Sequence, residues 1–144
     1  EEIMEAAAST LTSFGVPFRI TVASAHRTPD LVERTVKNSR AKVFIAIAGL
    51  SAALPGVVAA KTLMPVIGVP VAGKVPFDSI LSIVQMPPGI PVGAVGLDRG
   101  ENAALLAVRI LASSDDRFVK SLNDHLEAMR KKVMESGERL IGEI

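Results

Sequence analysis

The 144 residues contain no cysteine, no tryptophan and no tyrosine. Without thiols there can be no disulfide, thiolate metal site or cysteine nucleophile. A cysteine-free chain fits a reducing compartment, so a cytoplasmic location is expected. Five phenylalanines are the only aromatic residues, too few to build stacking platforms for single-stranded bases. The chain also lacks a surplus of either charge. Sixteen Lys and Arg stand against 15 Asp and Glu, a formal net charge of +1, which argues against a nucleic-acid partner. The only histidines are His26 and His125. They lie far apart with no acidic cluster near them, which is not a metal-ligand pattern. The start, Glu-Glu-Ile-Met-Glu, has no initiator Met, basic leader or signal-peptide core and reads as the middle of something. Val43 to Ala60 is uncharged and approaches a bilayer span in length. Gly49, Ser51, Pro55 and Gly56 interrupt it, so it reads as a strand, a loop and a helix, and no membrane partner is expected.

Almost half the residues are apolar, 49%, enough for one packed domain. Helical spacing of Ile3, Ala6, Ala7, Leu11 and Phe14 predicts a helix over 1–14, with Gly15 as its stop. Pro17 to Ala23 reads as a strand. Thr28 as N-cap, Pro29 in the first turn and Asp30 at the positive end predict a helix to about Asn38. The apolar run Lys42 to Ala48 has the composition of a strand buried on both faces. A short helix around Val57 to Thr62, a strand over Pro65 to Val69, a helix capped by Asp78 and running through Val84, a strand over Val92 to Leu97 and a helix over Glu101 to Ala112 follow. Alternating strands and helices imply a parallel sheet with helices on both faces, an α/β fold. The expectation is a single domain over 1–144, with a core over about 1–112 and a helical arm over about 115–136. On that arm Phe118, Leu122, Leu126, Met129 and Val133 form one apolar stripe. The stripe packs either on a neighbouring subunit or on its own domain.

Ligands of such sheets bind beyond the carboxyl ends of the strands. His26 lies there, in Ser-Ala-His-Arg-Thr-Pro-Asp at 24–30, after a strand and before a helix. An imidazole in that place can move protons near neutral pH. Arg27 can hold a phosphate or carboxylate with its forked guanidinium, and the helix N-terminus favours an anion. Ser24 adds a hydroxyl donor. A loop histidine bonded only to backbone is the alternative. The small residues from Ala48 to Gly56 would let a flat ligand approach backbone N–H groups, or would simply allow close helix–strand packing. Met86, in the proline-rich loop 85–91, could cover a ligand or belong to a stiff connector. Asp98 to Asn102 reads as a solvated or salt-bridged turn. His125, beside the apolar stripe, reads as structural or interfacial.

Four segments in this order and spacing carry a resemblance: Ser24–Asp30, A-A-K-T-L-M-P-V-I-G-V-P-V at 59–71, S-I-L-S-I-V-Q-M-P-P-G-I-P-V at 79–92 and N-A-A-L-L-A at 102–107. Together they resemble the family of 5-(carboxyamino)imidazole ribonucleotide mutase, the catalytic subunit of phosphoribosylaminoimidazole carboxylase, across essentially the whole chain. The resemblance implies a three-layer α/β/α flavodoxin-like fold and a homo-octamer in which the long C-terminal helix reaches a neighbour. It implies an enzyme of purine biosynthesis that moves a carboxylate from the exocyclic nitrogen to a ring carbon of a phosphorylated aminoimidazole ribonucleotide. No metal or organic cofactor is implied. By the same resemblance His26 is the proton carrier, Arg27 binds phosphate, Ser24 contacts substrate, and Ala48, Gly49, Leu50, Ser51, Ala53 and Leu54 line the base and carboxylate. The family begins with a strand ending in Gly-Ser-x-Ser-Asp, so an N-terminal strand is expected to be missing from this sequence. Its loop usually reads Gly-Gly-Ala-Ala-His-Leu-Pro-Gly, with a second histidine where Ala53 stands. The carbon-dioxide-using branch resembles Gly-Arg-Ser-Asn-x-Leu but usually carries Lys in place of Arg27. The alternatives are thus a direct carboxylase or a nucleotide-binding homologue without turnover.

Overall fold

The computed structural model describes residues 1–142, with side chains described to Gly137. The chain forms two compact units, Glu1–Ala107 and Val108–Ile144.

In the first unit, α1 (Glu2–Ser13) ends where Phe14 and Gly15 turn the chain, Gly15 with φ +66°. α2 (Pro29–Lys37) starts at its proline and buries Val32 and Val36. Three parallel strands follow in the order β1 (Phe44–Ala48), β2 (Val66–Pro70), β3 (Gly93–Ala94), with Phe44 opposite Val66 and Ile67 opposite Gly93. Between them lie α3 (Leu54–Ala59) and α4 (Pro76–Val84). α5 (Gly100–Ala112) begins in this unit, where Gly100 lies against the Ile3 backbone of α1.

β2 has a neighbour on each side and is buried at all five positions. Successive strand residues face opposite ways, so Ile67 (1% exposed) and Val69 (0%) lie on one face and Val66 and Gly68 on the other. Both faces are therefore covered, as a parallel sheet requires. One face packs Ala46 and Val66 against Val32, Val36 and Val58. Each such fully buried aliphatic side chain contributes roughly 1.5–3 kcal/mol.

Several sequence expectations shift. β1 has a partner on one side only among the described residues, and four of its five positions are half-buried rather than enclosed on both faces. Pro17 to Ala23 is not a strand. It makes no ladder hydrogen bonds among the described residues, and Phe18, Ile20 and Val22 are exposed. Strand propensity without an adjacent edge to pair with does not make a strand. The strand expected over Val92 to Leu97 is reduced to Gly93–Ala94, the two ladder positions on β2, beyond which single bonds from the Val95 and Asp98 N–H groups to the Gly68 and Pro70 carbonyls continue along it. α3 begins at Leu54, three residues before the expected start, since Pro55 suits a first turn. α4 likewise begins at Pro76, so Asp78 lies in its first turn and caps nothing there.

The second unit contains the end of α5 and α6 (Asp116–Gly142). α6 carries exposed ion pairs one turn apart, Lys120–Asp124 at 2.7 Å and Lys131–Glu135 at 3.8 Å. On its stripe Phe118 and Leu122 are half-buried, while Leu126, Met129 and Val133 are exposed. His125 is half-buried. Among the described residues no helix is long and apolar enough to cross a membrane.

Candidate functional site

The segment Ser24–Thr28 closes on itself. The Ser24 N–H donates to Thr28 Oγ1 at 2.9 Å, the Thr28 N–H donates to the Ser24 carbonyl at 2.9 Å, and the Thr28 hydroxyl donates to the same carbonyl at 3.3 Å. Ser24 Oγ accepts the Arg27 N–H at 3.2 Å and keeps its own hydrogen to donate. Thr28 is thus the N-cap residue of α2 by position, but its hydroxyl serves the turn and not the helix amides. His26 and Arg27 stand at the exposed tip of this turn.

The second segment runs from Ala48, the last residue of β1, to Leu54, the first of α3. Leu50 is exposed, Ala52 is buried, and Ala48, Gly49, Ala53 and Leu54 are half-buried. Ser51 has φ +54°, a left-handed conformation that costs a non-glycine residue about 1–2 kcal/mol. A β-carbon on Gly49 would meet only Val71 at 3.8 Å, ordinary contact, so packing does not demand that glycine. Both segments grow from the same core: Ala23, just before the turn, and Leu54, just after the loop, pack against the cluster of Val32, Val36, Ala46, Val58 and Val66.

Two residues outside these segments matter, and sequence reading gave them other roles. Asp78 Oδ2 accepts the Ser51 N–H at 2.5 Å. Asp98 is neither a merely solvated nor a salt-bridged turn: its Oδ1 accepts the Ala72 N–H at 2.9 Å, and its own N–H donates to the Pro70 carbonyl at 2.8 Å. The available signal was that each aspartate follows a strand, at the same edge as the loop it grips. Met86 lies against Gly56, its Cε 3.0 Å from where a β-carbon would sit, so it packs on α3.

Charge around α2 is structural. Glu33 pairs with Lys37 at 2.7 Å and Lys61 at 3.1 Å, tying α2 to the segment after α3. The hydrogen bonds from Lys37 and Lys61 lower its carboxyl from 4.5 to about 2. A groove of about 740 Å³ includes Lys61 and Thr62–Val66, Gly89–Pro91 and Gly93. It lies at the amino ends of β2 and β3, the edge opposite the Ala48–Leu54 loop, and is lined by no histidine or carboxylate. No group of three or more His, Asp or Glu among the described residues is placed to hold a metal ion.

A parallel sheet with helices on both faces, and with a small-residue loop following its first strand, defines the class of α/β proteins that meet ligands at the carboxyl edge; His26 and Arg27 stand in the turn that leads into α2. A family model described as AIR carboxylase matches residues 1–132. The chain is 59% identical over 140 residues to a protein of Methanocaldococcus jannaschii named N5-carboxyaminoimidazole ribonucleotide mutase, covering 96% of this chain and 89% of that one. It is 46% identical to a Candida albicans protein named phosphoribosylaminoimidazole carboxylase, covering 96% of this chain and 25% of that one. The crystal structure of Treponema denticola PurE superposes with a TM-score of 0.87 at 32% identity, covering 96% of this chain and 90% of that one. The chain belongs to the AIR carboxylase family. Its fold is the flavodoxin-like α/β arrangement.

Proposed function

We propose that this chain is an N5-carboxyaminoimidazole ribonucleotide mutase of purine biosynthesis. The observation that carries the reading is the closed Ser24–Thr28 turn, which presents His26 and Arg27 together. The 59% identical relative bearing that name supports it.

In this reading Arg27 holds the substrate phosphate, and the Ser24 hydroxyl donates to substrate. His26, as imidazolium, donates its proton to the exocyclic nitrogen as the bond from nitrogen to the carboxylate carbon breaks. Carbon dioxide and a neutral amine result. The ring carbon then attacks carbon dioxide, and the neutral imidazole removes the proton from that carbon. Aromaticity returns and His26 is again protonated, so one group serves both steps. The loop Ala48, Gly49, Leu50, Ser51, Ala53 and Leu54 lies along the base and the carboxylate. Because Ala53 has no proton to give, His26 carries the transfer alone. No metal or organic cofactor takes part. The enzyme works in the cytoplasm as a homo-oligomer, an octamer by family resemblance, with the exposed part of the α6 stripe as a subunit contact.

The test supplies the N-carboxylated nucleotide, or the free amine with carbon dioxide, as separate substrates and follows the C-carboxylated product. Turnover of the first and a loss of about 10²–10⁴-fold in His26→Asn with assembly intact are expected. Turnover of the free amine alone would point to the direct carboxylase. Binding without turnover of either would overturn catalysis.

A further inference from the structure

We propose that Asp78 is a positioning residue of the candidate site: its carboxylate holds the left-handed turn at Ser51 and so sets the loop Gly49–Leu54 against the substrate. This rests on the reading that the loop meets substrate. Two observations support it independently. The Ser51 N–H donates to Asp78 Oδ2 at 2.5 Å across 27 residues of sequence. Ser51 is also one of only two non-glycine residues with positive φ among the described residues, at +54°. That conformation needs something outside the local sequence to hold it, and the carboxylate is the group in contact.

The second such residue is itself an aspartate, and it grips a loop one strand along. Asp98, at φ +59°, accepts the Ala72 N–H at 2.9 Å, gripping the loop after β2. That loop is pinned again by the fully buried Ser79, whose hydroxyl lies 2.9 Å from the carbonyls of both Val71 and Pro76. Val71 in turn donates its N–H to Ala48 at 3.0 Å. The start of α4, and with it Asp78, is therefore fixed by contacts that do not involve the 49–54 loop. The loops after β1 and β2 are thus each held by an aspartate that follows the next strand.

An anchor acting through geometry changes the chemical step more than the binding step, because catalysis depends on alignment in the transition state. In the full chain, Asp78→Ala is expected to lower kcat by about 10- to 100-fold with KM changed less than about threefold. Asp78→Asn keeps an acceptor oxygen and is expected to retain most of the rate. The decisive variant is Asp78→Ala with Ser51→Gly. Glycine adopts positive φ without a steric cost, so this pair should recover several-fold in kcat over Asp78→Ala alone. A merely structural aspartate would not be rescued by a glycine in a distant loop. Amide hydrogen exchange provides an arm that needs no turnover: Asp78→Ala should speed exchange at Ser51 at least about tenfold, whereas His26→Asn should leave it unchanged. If the parent has no activity but Ser51 exchange responds as stated, the mutase reading fails and the tie stands. An Asp78→Ala chain with parental kcat, no gain from Ser51→Gly, or unchanged Ser51 exchange overturns the proposal.

Discussion

Replacing Gly68 by alanine sets two effects against each other. A glycine inside a strand costs roughly 0.5–1 kcal/mol relative to alanine, so in open space the substitution would stabilise. At this position, in the middle of β2, a β-carbon would meet Ile83 Cγ2 at 2.5 Å, and Pro55 Cβ and Val92 Cγ1 at 3.3 Å each. Ile83 is fully enclosed on α4, and a β-branched side chain in a helix is held in one χ1 rotamer. Its methyl cannot swing aside. Overpacking of this kind costs about 1–3 kcal/mol, so the clash wins by about 1–2 kcal/mol, a fall in Tm of roughly 3–8 °C for a chain of this size. Urea unfolding with an unchanged m-value would measure it. Ile83→Leu moves the branch point and removes the γ2 methyl at constant volume. In the double variant the loss should shrink, giving a coupling of order 1 kcal/mol. A Gly68→Ala chain as stable as the parent, or strictly additive double-variant losses, would refute the reasoning.

Gly100→Ala should be more damaging still, because its β-carbon would run into the Ile3 carbonyl, a backbone group that cannot rotate away; thermal melts of the two alanine variants side by side rank them. Arg27→Ala should raise KM about 10- to 100-fold with a smaller change in kcat, the loss of one charge-assisted phosphate contact; unchanged affinity for the phosphorylated nucleotide would remove that role. Glu33 is lowered in the folded chain to about 2 by Lys37 and Lys61. A depressed carboxylate stabilises the fold above its unfolded value, so this contribution is complete above about pH 4.5 and is lost as pH falls towards 2. Acid unfolding of Glu33→Gln should lack that component, which solvent screening keeps small. A chain ending at Ser114 should assemble with fewer subunits, taken as the light-scattering mass divided by the mass of one chain; an unchanged subunit number would exclude α6 as a subunit contact.

Much of this architecture could be read from pattern. The helical spacing of Ile3 to Phe14, the proline at 29 and the apolar runs at 42–48 and 65–69 each correspond to an element, although the 42–48 strand is half-buried and not enclosed on both faces. Pro17 to Ala23 failed because strand formation is decided by a neighbour and not by composition. In the candidate site, Thr28 and Pro29 announced the start of α2, but the Thr28 hydroxyl closes the turn with Ser24 instead of capping the helix. The aspartates were not readable. Asp78 had the local signature of a cap, and only the fold brings it to Ser51, 27 residues earlier. Long-range carboxylate-to-amide bonds leave no periodic trace in a sequence.

The outer side of β1 has one more implication. Phe-Ile-Ala-Ile-Ala leaves one row of backbone N–H and C=O groups without a strand partner among the described residues. It has none of the lysines, prolines or bulges that keep natural sheet edges from pairing with strangers. An added extended segment would find there the main-chain groups of Phe44 to Ala48 set at strand spacing and ready to pair.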